Sequence, residues 1–219
     1  MSLVITVMMV GKVEKCLSRW LDVSRPSVKP YVAALSMVAR VFRGRGVDFV
    51  LVGSLVLPLA YGIDWNVHDV DVFLLNKSTL TDEEFFEEVA RENDWDVGLT
   101  AFGGVYYEVV VGGEVVRVDL MENLLDVYMP QELLNDTVTV RVDGEEVRAI
   151  RLEGLIVLKA RETTDEAEEF LEELASVLAD PKTGVELDKG RVRRYIESFP
   201  EDERDGIMHR IEVSGIYLD

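Results

Sequence analysis

The run Asp69-Val70-Asp71-Val72 restricts this chain more than any other short stretch. Side chains alternate across a β-strand, so Val70, Val72 and Leu74 turn to one face while Asp69 and Asp71 turn to the other. The two Asp Cα atoms then stand about 7 Å apart, close enough for both carboxylates to converge on a hard cation. Residues 114–120 repeat the pattern, with Val116, Val118 and Leu120 on one face and Arg117 and Asp119 on the other. If that strand lies beside the first, Asp119 becomes a third carboxylate on the same wall. Carboxylates about 4 Å apart repel by on the order of 1–4 kcal/mol. Such a cluster raises its own pKa values or recruits a divalent cation. An all-oxygen set suits magnesium or manganese rather than zinc, and two such ions open the two-metal route to phosphoryl or nucleotidyl transfer.

The surrounding punctuation suggests how these strands are delivered. Pro26 and Pro30 mark residues 24–30 as a connector. Apolar Val32, Leu35, Val38, Ala39 and Phe42 recur at helical spacing, and Gly44 and Gly46 end that helix. A buried strand over 48–52 runs into Gly53-Ser54, a short apolar helix over 55–61 closes at Gly62, and residues 69–75 form the second strand. Thr81 and Glu84 carry capping-box spacing for a helix reaching about residue 92. Gly112-Gly113 and Asp143-Gly144 each sit between strand-like runs and predict two hairpins. Beyond Leu152 the pattern turns helical, including an acidic amphipathic helix over 165–178 stopped by Asp180-Pro181. The order predicts an α+β fold with a mixed β-sheet, flanking helices and a helical C-terminal part. Its divisions fall at an N-terminal arm (1–27), a core (28–151) and a helical C-terminal region (152–219).

Charge and rare residues exclude several function classes. Lys and Arg number 23 against 42 Asp and Glu, giving −19 over 219 residues. A field of that sign repels phosphate backbones and anionic membranes, which argues against generic nucleic-acid coating. Cys16 is the only cysteine and His68 and His209 the only histidines, so zinc clusters and Ser–His triads are poorly served. The first ten residues are apolar but too short to span a bilayer, and they read as a strand or packed arm. These features predict a soluble, cytoplasmic protein without a membrane partner. Arg191, Arg193 and Arg194 form the one compact basic cluster, and nearby acids make it a salt-bridged surface before an RNA contact. Trp65 and Tyr61 are read as packing residues.

Gly53-Ser54, Tyr61-Gly62, His68-Asp-Val-Asp-Val72 and the later Asp119 together resemble the nucleotidyltransferase fold of the DNA polymerase beta superfamily. Within it they look like small prokaryotic members of the AbiEii type, found in toxin–antitoxin systems. The likeness covers roughly residues 47–119, and 152–178 more loosely. It implies that Gly53 and Ser54 cradle a triphosphate and that Asp69, Asp71 and Asp119 hold Mg2+ or Mn2+. Asp119 also completes the catalytic set, and Lys159 approaches the nucleotide from a helix. The implied reaction transfers a nucleoside monophosphate from NTP to an acceptor hydroxyl on tRNA, protein or a small molecule, with pyrophosphate released. Members of this type carry an arginine before the D-x-D strand, where this chain has Trp65-Asn-Val-His68. Two readings therefore stand: an active nucleotidyltransferase, or a catalytically degenerate scaffold that binds nucleotides or partners. Lys159 likewise reads as a nucleotide contact or as an ordinary helix-surface lysine.

Overall fold

Two tight turns that require positive φ organise the sheet. In the computed structural model, which describes residues 28–100, 104–124 and 127–219, Gly112 and Gly113 have φ of 59° and 91°, and Asp143 and Gly144 have φ of 47° and 87°. Such turns match the right-handed twist of the strands they join. The first joins β4 (Val105–Val111) to β5 (Glu114–Met121), and the second joins β6 (Thr137–Val142) to β7 (Glu145–Ile150). With β1 (Phe49–Leu51), β2 (Val70–Leu74) and β3 (Asp96–Leu99), they build a seven-stranded sheet in the order β3-β4-β5-β2-β1-β7-β6. The β2–β5 and β1–β7 pairs are parallel and the rest antiparallel, so the sheet is mixed as the sequence predicts. Strand β3, a four-residue run whose alternating Val97 and Leu99 are left exposed, is not among the strands the sequence predicts; tertiary pairing with β4 forms it. The predicted arm over 1–27, with Cys16, lies outside the described residues.

Helix α1 (Lys29–Gly44) begins with Pro30 in its first turn, so the proline assigned to a connector instead opens the helix. Its buried stripe of Val32, Leu35, Val38, Ala39 and Phe42 lies against the sheet. Phe42 meets Phe49, Phe86 and Tyr107 edge-on at 5.6, 6.3 and 6.4 Å, the favoured geometry for aromatic quadrupoles. Helix α2 (Glu83–Glu92) starts one residue later than the capping-box spacing requires. Asp82, at its N-cap, accepts hydrogen bonds from Lys77 Nζ (2.7 Å) and the Ser78 amide (3.1 Å) rather than capping the helix. The short helix foreseen over 55–61 is a five-residue π-helical turn, Leu57–Tyr61, closed by Gly62 at φ 65°.

After the short α3 (Gln131–Asn135) and the second hairpin come α4 (Leu152–Arg161), α5 (Asp165–Ala179), α6 (Lys189–Glu197) and α7 (Glu201–Val213). Helix α4 is buried at Leu152, Leu155, Ile156, Val157 and Ala160, because it packs against α5, α6 and α7. Thr164 caps α5 by accepting the Ala167 amide proton (3.2 Å). The acids of α5 face outward while Leu171 and Leu174 are buried. Arg191 and Arg194 are spent on Asp136, Asp188, Glu153 and Glu132, the salt-bridged arrangement expected of that cluster. No helix among the described residues is long and apolar enough to cross a membrane.

Candidate active site

The site forms where β2 runs parallel to β5. Their register sets Val70 beside Val118 and Asp71 beside Asp119. The valines on one face are buried, as are Val72 and Leu120. The same pleat turns Asp69, Asp71 and Asp119 together on the other face. One oxygen from each of these three carboxylates lies within 4.8 Å of the other two. The sequence left the neighbourhood of the two strands as a condition, and the parallel pairing meets it.

Strand β1 brings Gly53-Ser54 to the same place. The Val52 amide donates to Asp71 O at 2.9 Å, which extends the β1–β2 ladder to the turn. Gly53 then passes so close to Asp71 that a Cβ there would lie 2.7 Å from Asp71 Cγ and 2.9 Å from its Cβ. Glycine is required because the Asp71 carboxylate fills the space a side chain would occupy. The chain turns at once, with Val56 and Leu57 donating to the carbonyls of Gly53 and Ser54.

Electrostatics mark the cluster as charge held under duress. Burial, then the neighbouring Asp69 and Asp119 charges, pushes the Asp71 carboxyl up to about 8. Burial and Asp119 also raise Asp69 above the usual carboxylate range. Lys159 opposes both shifts from α4. Its ammonium contacts both Glu162 carboxylate oxygens at 3.0 Å and lies 5.7 Å from the Phe170 ring. The structure thus puts Lys159 within electrostatic reach of the acids, with a carboxylate partner of its own.

Strand alternation puts Arg117 on the acidic face, and the structure gives it a partner there. Its Nε donates to both Asp119 oxygens, at 2.9 and 3.0 Å, and its Nη2 donates to Oδ1 at 2.7 Å. The guanidinium carbon stands 4.2 Å from the centre of the Tyr106 ring, and Tyr106 faces Asp119 across the β4–β5 pair. The hydrogen bond to Asp119 raises the Arg117 pKa further. The signal that could have found it is its position two residues before Asp119, on the same face. Trp65 is buried against Phe170 at 4.7 Å, and Tyr61 Oη accepts the Leu152 amide proton at 2.8 Å. Both aromatics pack, as read from sequence. His68 contacts the Asn66 amide at 3.1 Å.

Residues 31–213 match the family model described as nucleotidyl transferase of unknown function (DUF2204). The chain belongs to this family. Among solved structures, this DUF2204 member is similar to an antigenic nucleotidyltransferase-like protein from Paracoccidioides brasiliensis. The two are 14% identical over 69% of this chain and 77% of that one, with a TM-score of 0.53. It is also similar to the antibiotic-resistance factor ANT(2'')-Ia, at 13% identity over 83% of this chain and 91% of that one, TM-score 0.44. JHP933 from Helicobacter pylori aligns at 15% identity over 83% and 90%, TM-score 0.38. No curated protein matches the chain in sequence. Family and fold are therefore those of a nucleotidyltransferase, with the mixed sheet and flanking helices expected.

Proposed function

We propose that this protein transfers a nucleoside monophosphate from NTP to an acceptor hydroxyl at the Asp69, Asp71 and Asp119 cluster, using Mg2+ or Mn2+. One observation carries the reading: three carboxylates converge within 4.8 Å on adjacent parallel strands, against a glycine turn that leaves room for one of them. A solvated acidic face separates its charges, whereas this one gathers them at a cost to its own ionisation. The donor set fits a hard divalent cation, being all oxygen and carrying three carboxylates against the two nearby cations Arg117 and Lys159. A divalent ion held by Asp69, Asp71 and Asp119 would supply Lewis-acid neutralisation of the charge on the triphosphate.

The chain's own residues then divide the remaining work. Gly53 and Ser54 offer the triphosphate a close backbone and a hydroxyl, and Lys159 offers an ammonium once it leaves Glu162. The acceptor hydroxyl oxygen attacks the α-phosphorus, its proton passes to an Asp119 oxygen, and the α–β phosphoanhydride bond breaks to release pyrophosphate. Acceptor choice falls to the helices after Leu152.

The test is incubation of the purified chain with each α-32P-labelled NTP, divalent ion and an acceptor mixture of tRNA, protein and small polyols. The reading requires label transfer and pyrophosphate release that disappear in Asp71→Asn. Nucleotide binding with no transfer would favour the degenerate scaffold that the missing arginine before Asp69 suggests. Absence of metal-dependent NTP binding would overturn the proposal.

A further inference from the structure

We infer that Arg117 is a resident counter-cation which a divalent ion displaces from Asp119, and which then pairs with the triphosphate of the incoming nucleotide. The inference rests on the function proposed above.

Arg117 takes both oxygens of Asp119 in a fork, at 2.7 to 3.0 Å. A hard cation lodged among the three acids needs an Asp119 oxygen at about 2.0–2.6 Å. Either Asp119 oxygen already accepts a hydrogen bond from the guanidinium, and two cations at such range repel strongly in a partly desolvated site. Metal and Arg117 therefore compete for one carboxylate.

The geometry also provides for the arginine after release. Its side chain is 45% exposed while that of Asp119 is 14% exposed, so the guanidinium sits on the solvent side of the pair, where the substrate must arrive. The Tyr106 ring 4.2 Å away gives it a stacking surface that does not depend on Asp119. A planar guanidinium matches phosphate oxygens two at a time. The segment preceding Asp69, Gly62-Ile-Asp-Trp-Asn-Val-His68, contains no arginine. Arg117 thus supplies that contact from β5 instead, and the positive charge reaches the triphosphate only after metal has entered.

The probes are Mn2+ alone and then tripolyphosphate in saturating Mn2+, titrated calorimetrically into the full chain, Arg117→Ala and Arg117→Lys. Tripolyphosphate removes dependence on base identity. Arg117→Ala is expected to bind Mn2+ about fivefold more tightly, since its competitor is gone, and tripolyphosphate at least about tenfold more weakly. Arg117→Lys keeps the charge without the fork and should fall between. If Arg117→Ala and Arg117→Lys bind Mn2+ no more tightly than the parent, Arg117 merely orients Asp119 and the inference fails. Unchanged tripolyphosphate affinity in Arg117→Ala also overturns it. A parent protein that binds no Mn2+ defeats the proposed function itself, an outcome distinct from both.

Discussion

Replacing Asp71 with asparagine should stabilise the metal-free protein at alkaline pH while removing its response to metal. The carboxyl is pushed up to about 8 by burial, then by the charges of Asp69 and Asp119, with Lys159 opposing and Glu162 adding slightly. An unfolded chain ionises this group near pH 4. Between roughly pH 4 and 8 the unfolded state therefore holds fewer protons, and stability falls as pH rises through that window. A displacement of about four pH units sets a ceiling of roughly 6 kcal/mol. Asp69 shares the repulsion and Lys159 offsets part of it, so a realised gain of about 2 kcal/mol is the reasonable figure, or about 4–8 °C for a domain of this size. Asparagine keeps the shape beside Gly53 and carries no charge. Thermal unfolding in EDTA should therefore show Asp71→Asn well above the parent at pH 8 and nearly level with it at pH 5. Added Mn2+ at about 100-fold over its Kd should raise the parent by about 2.7 kcal/mol and leave the variant unmoved. A variant less stable than the parent at pH 8 in EDTA, or one stabilised equally by Mn2+, would refute the reasoning.

Three further outcomes follow from other parts of the molecule. Gly53→Ala places a methyl where the Asp71 carboxylate now lies, so Mn2+ affinity by titration should fall at least about tenfold while the far-ultraviolet dichroism is kept. Tyr61→Phe removes the acceptor of the Leu152 amide, and denaturant unfolding should report a loss of about 1 kcal/mol with Mn2+ binding intact. Asp136 is raised by burial, but hydrogen bonds from Arg151 and Tyr195 outweigh this and hold it below the usual range. Asp136→Ala should thus cost about 2 kcal/mol near pH 7, with the loss beginning to shrink below about pH 4, where the unfolded chain takes up the proton, and shrinking further until the native carboxylate is protonated as well.

The candidate site was legible because its chemistry is written in short-range patterns. Alternation on one strand puts Asp69 and Asp71 on a common face whatever the rest of the chain does, and Gly112-Gly113 and Asp143-Gly144 encode their turns locally through positive φ. Both hairpins and the helical stretch after Leu152 follow from the same kind of signal. Asp119 was legible only as a condition, since nothing local states which strand lies beside β2. Strand β3 is not legible because it offers only four residues and its alternating Val97 and Leu99 stay exposed, and the Thr81 capping box misleads because Asp82 finds partners in Lys77 and Ser78. Arg117 was visible as a face residue, but its bidentate grip on Asp119 depends on rotamers that no spacing rule reports. By itself, then, the sequence determined which residues share a face, where the chain turns and which acids are available. The tertiary structure decided that β2 and β5 run parallel in register, that Asp71 seats against Gly53, and that Lys159 and Arg117 stand over the acids. Those outcomes depend on pairing strands distant in sequence while burying the apolar face of the sheet under α1, a condition on the whole chain that no single stretch of it can express.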